Sequence, residues 1–112
     1  MWTIRANGNG FVLIVDGEEY NFQGYDELLN TIEENNIENG IEILNYFTDR
    51  DSEPEWVCIY IEKTENGTIY GYKNKKNGNI KYVAIDSSGF NKTFPTLEEA
   101  RYHLNPGLKN GF

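Results

Sequence analysis

Residues 55–86, EWVCIYIEKTENGTIYGYKNKKNGNIKYVAID, decide the fold because they read as three successive β-strands joined by two tight turns. Asn66-Gly67 and Asn77-Gly78 each supply the Asn-Gly pair that favours a two-residue hairpin turn, in which both central residues need a positive φ. These turns predict three cross-strand pairs: Lys63 with Tyr70, Ile61 with Tyr72, and Tyr72 with Val83.

The alternation of side chains along this meander predicts two unlike faces. The first is an apolar core face, made of Val57, Ile59, Ile61, Tyr70, Tyr72, Val83 and Ile85. The second face carries Trp56, Cys58, Tyr60, Ile69, Tyr82 and Ala84. Because the second face is rich in aromatic side chains, we expect it either to lie beneath another element or to bind a partner.

The N-terminal part of the chain predicts a hairpin, a helix and one ambiguous segment. Residues 2–6 and 11–15 read as two strands separated by an Asn-Gly-rich turn. An apolar stripe with i, i+3, i+4, i+7 spacing predicts a helix over residues 25–35. Residues 41–48, IEILNYFT, favour a strand, with a short helix as the alternative.

A second helix is predicted near the C-terminus, where Thr96-Leu97-Glu98-Glu99 forms a capping box and the helix runs to about Leu104. The whole chain, residues 1–112, therefore predicts one α+β domain. Its antiparallel sheet would have about five to six strands, the N-terminal hairpin plus the meander, with two helices packed on one face.

A short internal echo links the two ends of the chain. YNFQGYDELL (20–29) and KTFPTLEEAR (92–101) share an aromatic residue followed, at matched spacings, by an apolar residue and two acidic residues, and each segment follows a predicted hairpin. The echo predicts a duplicated hairpin–helix unit, covering residues 1–36 and 68–105.

The charge of the chain is strongly uneven. Its net charge is −8, yet residues 16–65 hold 15 acidic side chains against two basic ones, whereas residues 66–112 hold seven basic side chains against three acidic ones. An acidic surface of this kind keeps a small protein soluble, and it also attracts basic partners. The asymmetry is the strongest functional signal in the sequence.

The residues that usually carry chemistry are scarce. Cys58 lies mid-strand, where a lone cysteine is typically a small buried hydrophobe, and His103 lies late in a predicted helix, where it caps the C-terminus. One cysteine and one histidine cannot build a cysteine cage or a histidine-rich metal centre. Asp49, Asp51 and Glu53 have the spacing that begins a calcium loop, but a proline follows where that loop needs glycine. We therefore expect no catalytic residue, metal site or cofactor.

Two further functions stay open. Lys73, Lys75, Lys76 and Lys81 lie near tyrosines on the meander, an arrangement that binds single-stranded nucleic acid in other proteins. The negative net charge opposes that function, because it repels a polyanion. A pair of the 18 acidic side chains could also serve a small hydrolase, although no spacing singles out such a pair.

A non-enzymatic protein that binds a basic, nucleic-acid-binding partner is the function that we favour. The expected contact residues are the acids and aromatics of the central segment: Asp26, Glu27, Glu33, Glu34, Glu38, Asp49, Asp51, Glu53, Glu55, Trp56 and Tyr60. Carboxylates would provide electrostatic complementarity, and Trp and Tyr would provide the apolar contact.

Two classes of small acidic proteins act in this way. Phage anti-CRISPR and related anti-defence inhibitors occlude nucleic-acid channels, and immunity proteins neutralise bacterial nuclease toxins; we favour the first and keep the second as the alternative. The longest apolar run, residues 11–15, is too short to cross a bilayer, so we expect no membrane association and a cytoplasmic location. An exposed strand edge leaves homodimer formation open.

Overall fold

The computed structural model describes residues 1–50 and 53–106, which form one seven-stranded antiparallel sheet and three helices. The elements are, in chain order, β1 (Trp2–Asn7), β2 (Gly10–Val15), β3 (Glu18–Phe22), α1 (Tyr25–Glu34), α2 (Gly40–Thr48), β4 (Trp56–Thr64), β5 (Gly67–Asn74), β6 (Ile80–Asp86), β7 (Asn91–Phe94) and α3 (Leu97–Leu104). The strand order across the sheet is β3-β2-β1-β4-β5-β6-β7. The α+β class, the first hairpin and the central meander are confirmed.

The helices cover opposite faces of the sheet. On the front face, Leu28, Ile32, Ile43 and Phe47 of α1 and α2 pack on the strand residues Ile4, Leu13, Phe22 and Ile61. On the back face, Ala100 and Leu104 of α3 pack on Ile69 and Ala84. The expectation of two helices on one face was therefore wrong, because side chains from both faces of the same strands need apolar cover.

The sheet has seven strands rather than five to six, because β3 and β7 were not predicted. Both are short edge strands with polar sequences, EEYNF and NKTF. An edge strand has a neighbour on one side only and is often polar, so the alternating pattern that identifies an internal strand is weak there. Homodimer formation through these edges stays a prediction.

Residues 41–48, expected as a strand, belong to helix α2. Ile43 and Phe47 are buried at i, i+4 spacing, whereas Ile41 remains 78% exposed. The branched and aromatic residues of IEILNYFT favour a strand locally, but packing one side of a helix over the sheet buries more of them. The helix begins very close to α1, since a Cβ atom on Gly40 would lie 2.4 Å from Ile32 Cγ2.

The register of the meander differs from the expected one by two residues. Ile61 pairs with Tyr70, and Tyr70 also pairs with Val83. The first turn consists of Glu65 and Asn66 rather than the predicted Asn66-Gly67, because Thr64 pairs with Gly67. Thr64 Oγ1 accepts a hydrogen bond from the Asn66 amide at 3.2 Å and donates one to the Gly67 carbonyl at 3.1 Å. A register shift of two residues leaves each side chain on the same face of the sheet, so most of the predicted face assignments are correct.

A β-bulge between Cys58 and Tyr60 corrects the predicted second face. An extra residue in a strand turns the side chains of all preceding residues of that strand to the opposite face of the sheet. Cys58 is consequently buried in the front core, and Trp56 packs against the same core. Tyr60 remains on the back face beside Tyr82. The three residues expected on one face are divided between two.

Two parts of the molecule share one topology. We call β1-β2-β3-α1 the N-terminal unit and β5-β6-β7-α3 the C-terminal unit; they flank β4. Because β1 and β5 both run antiparallel to β4, a half-turn about an axis along β4 exchanges the two units and the two faces of the sheet. This relation accounts for the opposite positions of α1 and α3.

The registers identify equivalent core positions in the two units. Ile4 pairs with Leu13 in the N-terminal unit, as Ile69 pairs with Ala84 in the C-terminal unit. Continuing along each chain gives these equivalences: Phe22 with Phe94, Leu28 with Ala100, and Ile32 with Leu104. The correspondence extends the sequence echo through the strands, while a common origin of the units stays a prediction.

Candidate functional site

The exposed carboxylates of α1 and the α1–α2 connection form one acidic surface, which we call the acidic helix layer. Its members are Asp26, Glu27, Glu33, Glu34 and Glu38, all exposed. The sequence holds ten acidic residues and no Lys or Arg between Arg5 and Arg50. Among the residues that the structure describes, none of these five carboxylates forms an ion pair. The layer therefore presents a net negative charge to solvent.

The acidic residues at the two ends of α1 have opposite effects on the stability of the helix. Glu27 Oε2 accepts a hydrogen bond from the Gln23 amide at 2.8 Å, and Asp26 also lies in the first turn, at the positive end of the helix dipole. Glu33 and Glu34 lie in the last turn, which has no basic residue. Their charges repel the negative end of the helix, so α1 would be more stable without them.

One carboxylate of the predicted acidic segment after α2, that of Glu53, is paired with a lysine. Glu53 Oε2 lies 3.0 Å from Lys81 Nζ. The β5–β6 tip packs on the same segment, because Lys75 Nζ donates to the Pro54 carbonyl at 3.0 Å and the Lys75 amide donates to the Glu55 carbonyl at 3.0 Å. Asp49 remains exposed at the end of α2, and Asp51 lies outside the described residues. The predicted lysine cluster and acidic loop are thus neighbours.

The two aromatic contact candidates lie on opposite faces of the sheet. Trp56 is on the front face, where Lys81 Nζ lies 4.2 Å from the centroid of its ring. Tyr60 is on the back face, where its ring meets Tyr82 edge to face at 6.3 Å. One flat partner surface therefore cannot contact both residues.

A groove lies on the front face beyond α2, and we call it the front groove. Its volume is about 420 Å³, and its lining includes Asp49, Glu53, Tyr70, Tyr72, Val83 and Thr93, together with Lys81. The rings of Tyr70 and Tyr72 are stacked, 6.2 Å apart with an interplanar angle of 24°. Burial raises the pKa of Tyr70 above its ordinary value, so this ring stays uncharged. Sequence reasoning missed the groove, because it forms only where α2 ends.

A larger cleft of about 530 Å³ lies on the back face beside α3. Ile14, Ile69 and Leu104 contribute apolar surface, and Glu62 and Arg101 contribute polar surface. Glu62 is 9% exposed, and its two oxygens accept hydrogen bonds from Arg101 at 2.6 to 3.2 Å. Arg101 and Glu62 thereby link α3 to β4.

Tyr60 completes this buried polar cluster. Its hydroxyl donates to Glu62 Oε1 at 2.5 Å and accepts from Arg101 Nη2 at 3.0 Å. Burial, with a smaller contribution from the bond to Glu62, raises the pKa of Tyr60 to about 12. Hydrogen bonding to Glu62 also raises the pKa of Arg101. Each group is satisfied by the other two, which is the arrangement of a structural link between elements.

Comparisons of the chain with family models, with curated proteins and with solved structures found no match. Within residues 1–50 and 53–106, no three His, Cys, Asp or Glu side chains come together as a candidate metal centre. Of the helices in that part of the chain, none combines the length and the apolar character needed to cross a membrane.

Proposed function

We propose that this chain is a non-enzymatic acidic protein that binds and inhibits a basic, nucleic-acid-binding partner protein, in the manner of phage anti-CRISPR and other anti-defence inhibitors. The position of Glu33 and Glu34 carries the proposal. Two exposed carboxylates at the negative end of α1 lower the stability of the helix, so helix stability does not account for them and we assign them to partner binding.

The acidic helix layer would act by substituting for nucleic-acid phosphates. Its carboxylates lie along α1 and the α1–α2 connection, and no described cation neutralises them. A basic groove that binds a polyanion would attract this surface at long range and be blocked once it docks. Binding of this kind weakens steeply as salt is added, because exposed charges are screened.

A matched pair of charge-reversal variants tests the proposal. Glu33→Lys with Glu34→Lys alters the acidic helix layer, whereas Glu18→Lys with Glu65→Lys changes the net charge equally at exposed positions outside it. The wild-type chain and both variants would be immobilised, exposed to host lysate at low and at high salt, and the bound proteins identified by mass spectrometry. Binding of each recovered partner would then be measured in competition with a DNA or RNA oligonucleotide.

The first variant is expected to lose the partner while its melting temperature rises, since two lysines suit the negative end of α1. The Glu18 and Glu65 variant should bind as the wild-type chain does. Equal loss of binding in both variants, or a partner that binds the oligonucleotide and this chain at the same time, would contradict the proposal. Recovery of a nuclease toxin as the dominant partner would instead assign the chain to the immunity-protein class.

A further inference from the structure

We infer that the front groove is the anchor site for an arginine side chain of the basic partner, held between the Asp49 carboxylate and the half-buried Tyr70 ring. The inference rests on the proposed function and adds the contact that would give the electrostatic encounter its specificity. Three features of the groove carry it: a cation that the groove already holds, an exposed carboxylate beside it, and its position next to the acidic helix layer.

The groove already binds one cation of this chain. Lys81 Nζ lies 4.2 Å from the Trp56 ring centroid, 5.7 Å from that of Tyr72 and 3.0 Å from Glu53 Oε2. Aromatic faces and a carboxylate together attract a cation through the ring quadrupole and the opposite charge. Lys81 and Glu53 both line the groove, so the contacts of Lys81 show which chemistry this surface accommodates.

Two lining residues of the groove, Asp49 and Tyr70, have matching chemistry and contact no cation among the described residues. Asp49 is exposed at the rim and takes part in no ion pair between described residues. Tyr70 is half-buried and offers its ring to the groove, whereas Tyr72, which stacks on Tyr70, is only 7% exposed. Val83 and Thr93 also line the groove. A planar guanidinium stacks on aromatic rings while it donates to a carboxylate, whereas an ammonium group cannot do both equally well. Arginine is therefore the occupant that this surface fits.

The position of the groove agrees with docking through the acidic helix layer. Asp49 is the residue that caps the C-terminus of α2, and α2 packs beside α1 on the front face. A partner lying on the helices can therefore extend a side chain over Asp49 into the groove. The charge of the groove rim, two carboxylates against one lysine, favours a basic occupant.

The test uses the full chain and two small probes that differ in charge alone. N-acetyl-arginine amide and its neutral isostere N-acetyl-citrulline amide would each be titrated into the ¹⁵N-labelled protein. We expect arginine to move the amide resonances of Tyr72, Val83 and Thr93, and citrulline to move them much less. Asp49→Asn should weaken arginine binding about two- to fivefold, the effect of one exposed ion pair. Glu18→Gln, the matched control, should leave it unchanged.

The outcomes separate this inference from the proposed function. Equal shifts with arginine and citrulline, shifts centred elsewhere, or no effect of Asp49→Asn would overturn the groove assignment. If the Glu33 and Glu34 variant nevertheless loses the partner, the proposed function stands without it. If arginine binds the groove as expected but the partner binds Asp49→Asn and the wild-type chain equally well, the groove is not its anchor and the inference fails.

Discussion

The N-terminal and C-terminal units use the same topology but stabilise it differently. At equivalent core positions the N-terminal unit has Leu13 and Leu28, whereas the C-terminal unit has Ala84 and Ala100, all fully buried. Small side chains let α3 lie close to its face of the sheet, where the Arg101–Glu62 pair holds it. The N-terminal unit instead builds a thick apolar core, to which α2 adds Ile43 and Phe47.

The helices of the two units also differ in charge. The last turn of α3 carries Arg101 and His103, which suit the negative end of a helix, and Thr96 caps its first turn by accepting from the Glu99 amide at 3.2 Å. The charged residues in the last turn of α1, Glu33 and Glu34, are both acidic, and the N-cap residue of α1, Gly24, provides no side-chain hydrogen bond. The side-chain charges therefore stabilise the last turn of α3 and destabilise the last turn of α1, where part of the proposed contact surface lies.

The largest expected change in the free energy of unfolding comes from truncating a buried side chain in the core of the N-terminal unit. Leu28→Ala removes a fully buried side chain between α1 and the sheet and should lower the free energy of unfolding by about 2–5 kcal/mol. Urea unfolding followed by circular dichroism measures the change. The matched substitution in the other unit is Ala100→Leu, which should cost about 1–3 kcal/mol through overpacking. If Ala100→Leu stabilises the protein, the space between α3 and the sheet accommodates a large side chain, and the close packing that we describe for the C-terminal unit is wrong.

A smaller effect is expected from removing the polar link of the C-terminal unit. Arg101→Met keeps much of the apolar stem but leaves the buried Glu62 carboxylate with only the Tyr60 hydroxyl as a described donor, which should cost about 1–2 kcal/mol. The exposed pair of Arg5 and Glu19, 3.5 Å apart, provides the control. Arg5→Met should change stability by less than about 1 kcal/mol in the same urea experiment. If Arg101→Met and Arg5→Met lower the free energy of unfolding equally, the Arg101–Glu62 pair stabilises the protein no more than an exposed ion pair does.

The smallest effect concerns the pH dependence of that link. Because the folded-state pKa of Tyr60 is raised from 10.0 to about 12, the unfolded chain releases this proton first as the pH rises. The stability contributed by the neutral hydroxyl is thus complete below pH 10 and is lost as the pH approaches 12. Tyr60→Phe should flatten the alkaline decrease in stability and remove one late step from the tyrosinate absorbance titration. An unchanged titration in the variant would show that Tyr60 ionises like an exposed tyrosine.

Much of the fold was predictable because it depends on short-range chemistry. The apolar stripe of α1 and the capping box of α3 are signals within one or two helical turns, and both helices form where expected. Helix α2 and the edge strands were harder, because neighbouring elements decide them: IEILNYFT becomes a helix once the sheet offers its side chains a surface. The sequence predicted Asp49 and Glu53 as contact residues, but it did not predict that both would line one groove.

Residue types and spacings alone determined helices α1 and α3, the three strands of the central meander and the sign of the net charge. The tertiary structure decided the rest, because each remaining feature depends on contacts between distant segments. One bulge at Cys58–Tyr60 sent Trp56 to the front face and left Tyr60 on the back. Pairing of both units with β4 placed α1 and α3 on opposite faces. The end of α2 then opened the front groove between an exposed carboxylate and two stacked tyrosines.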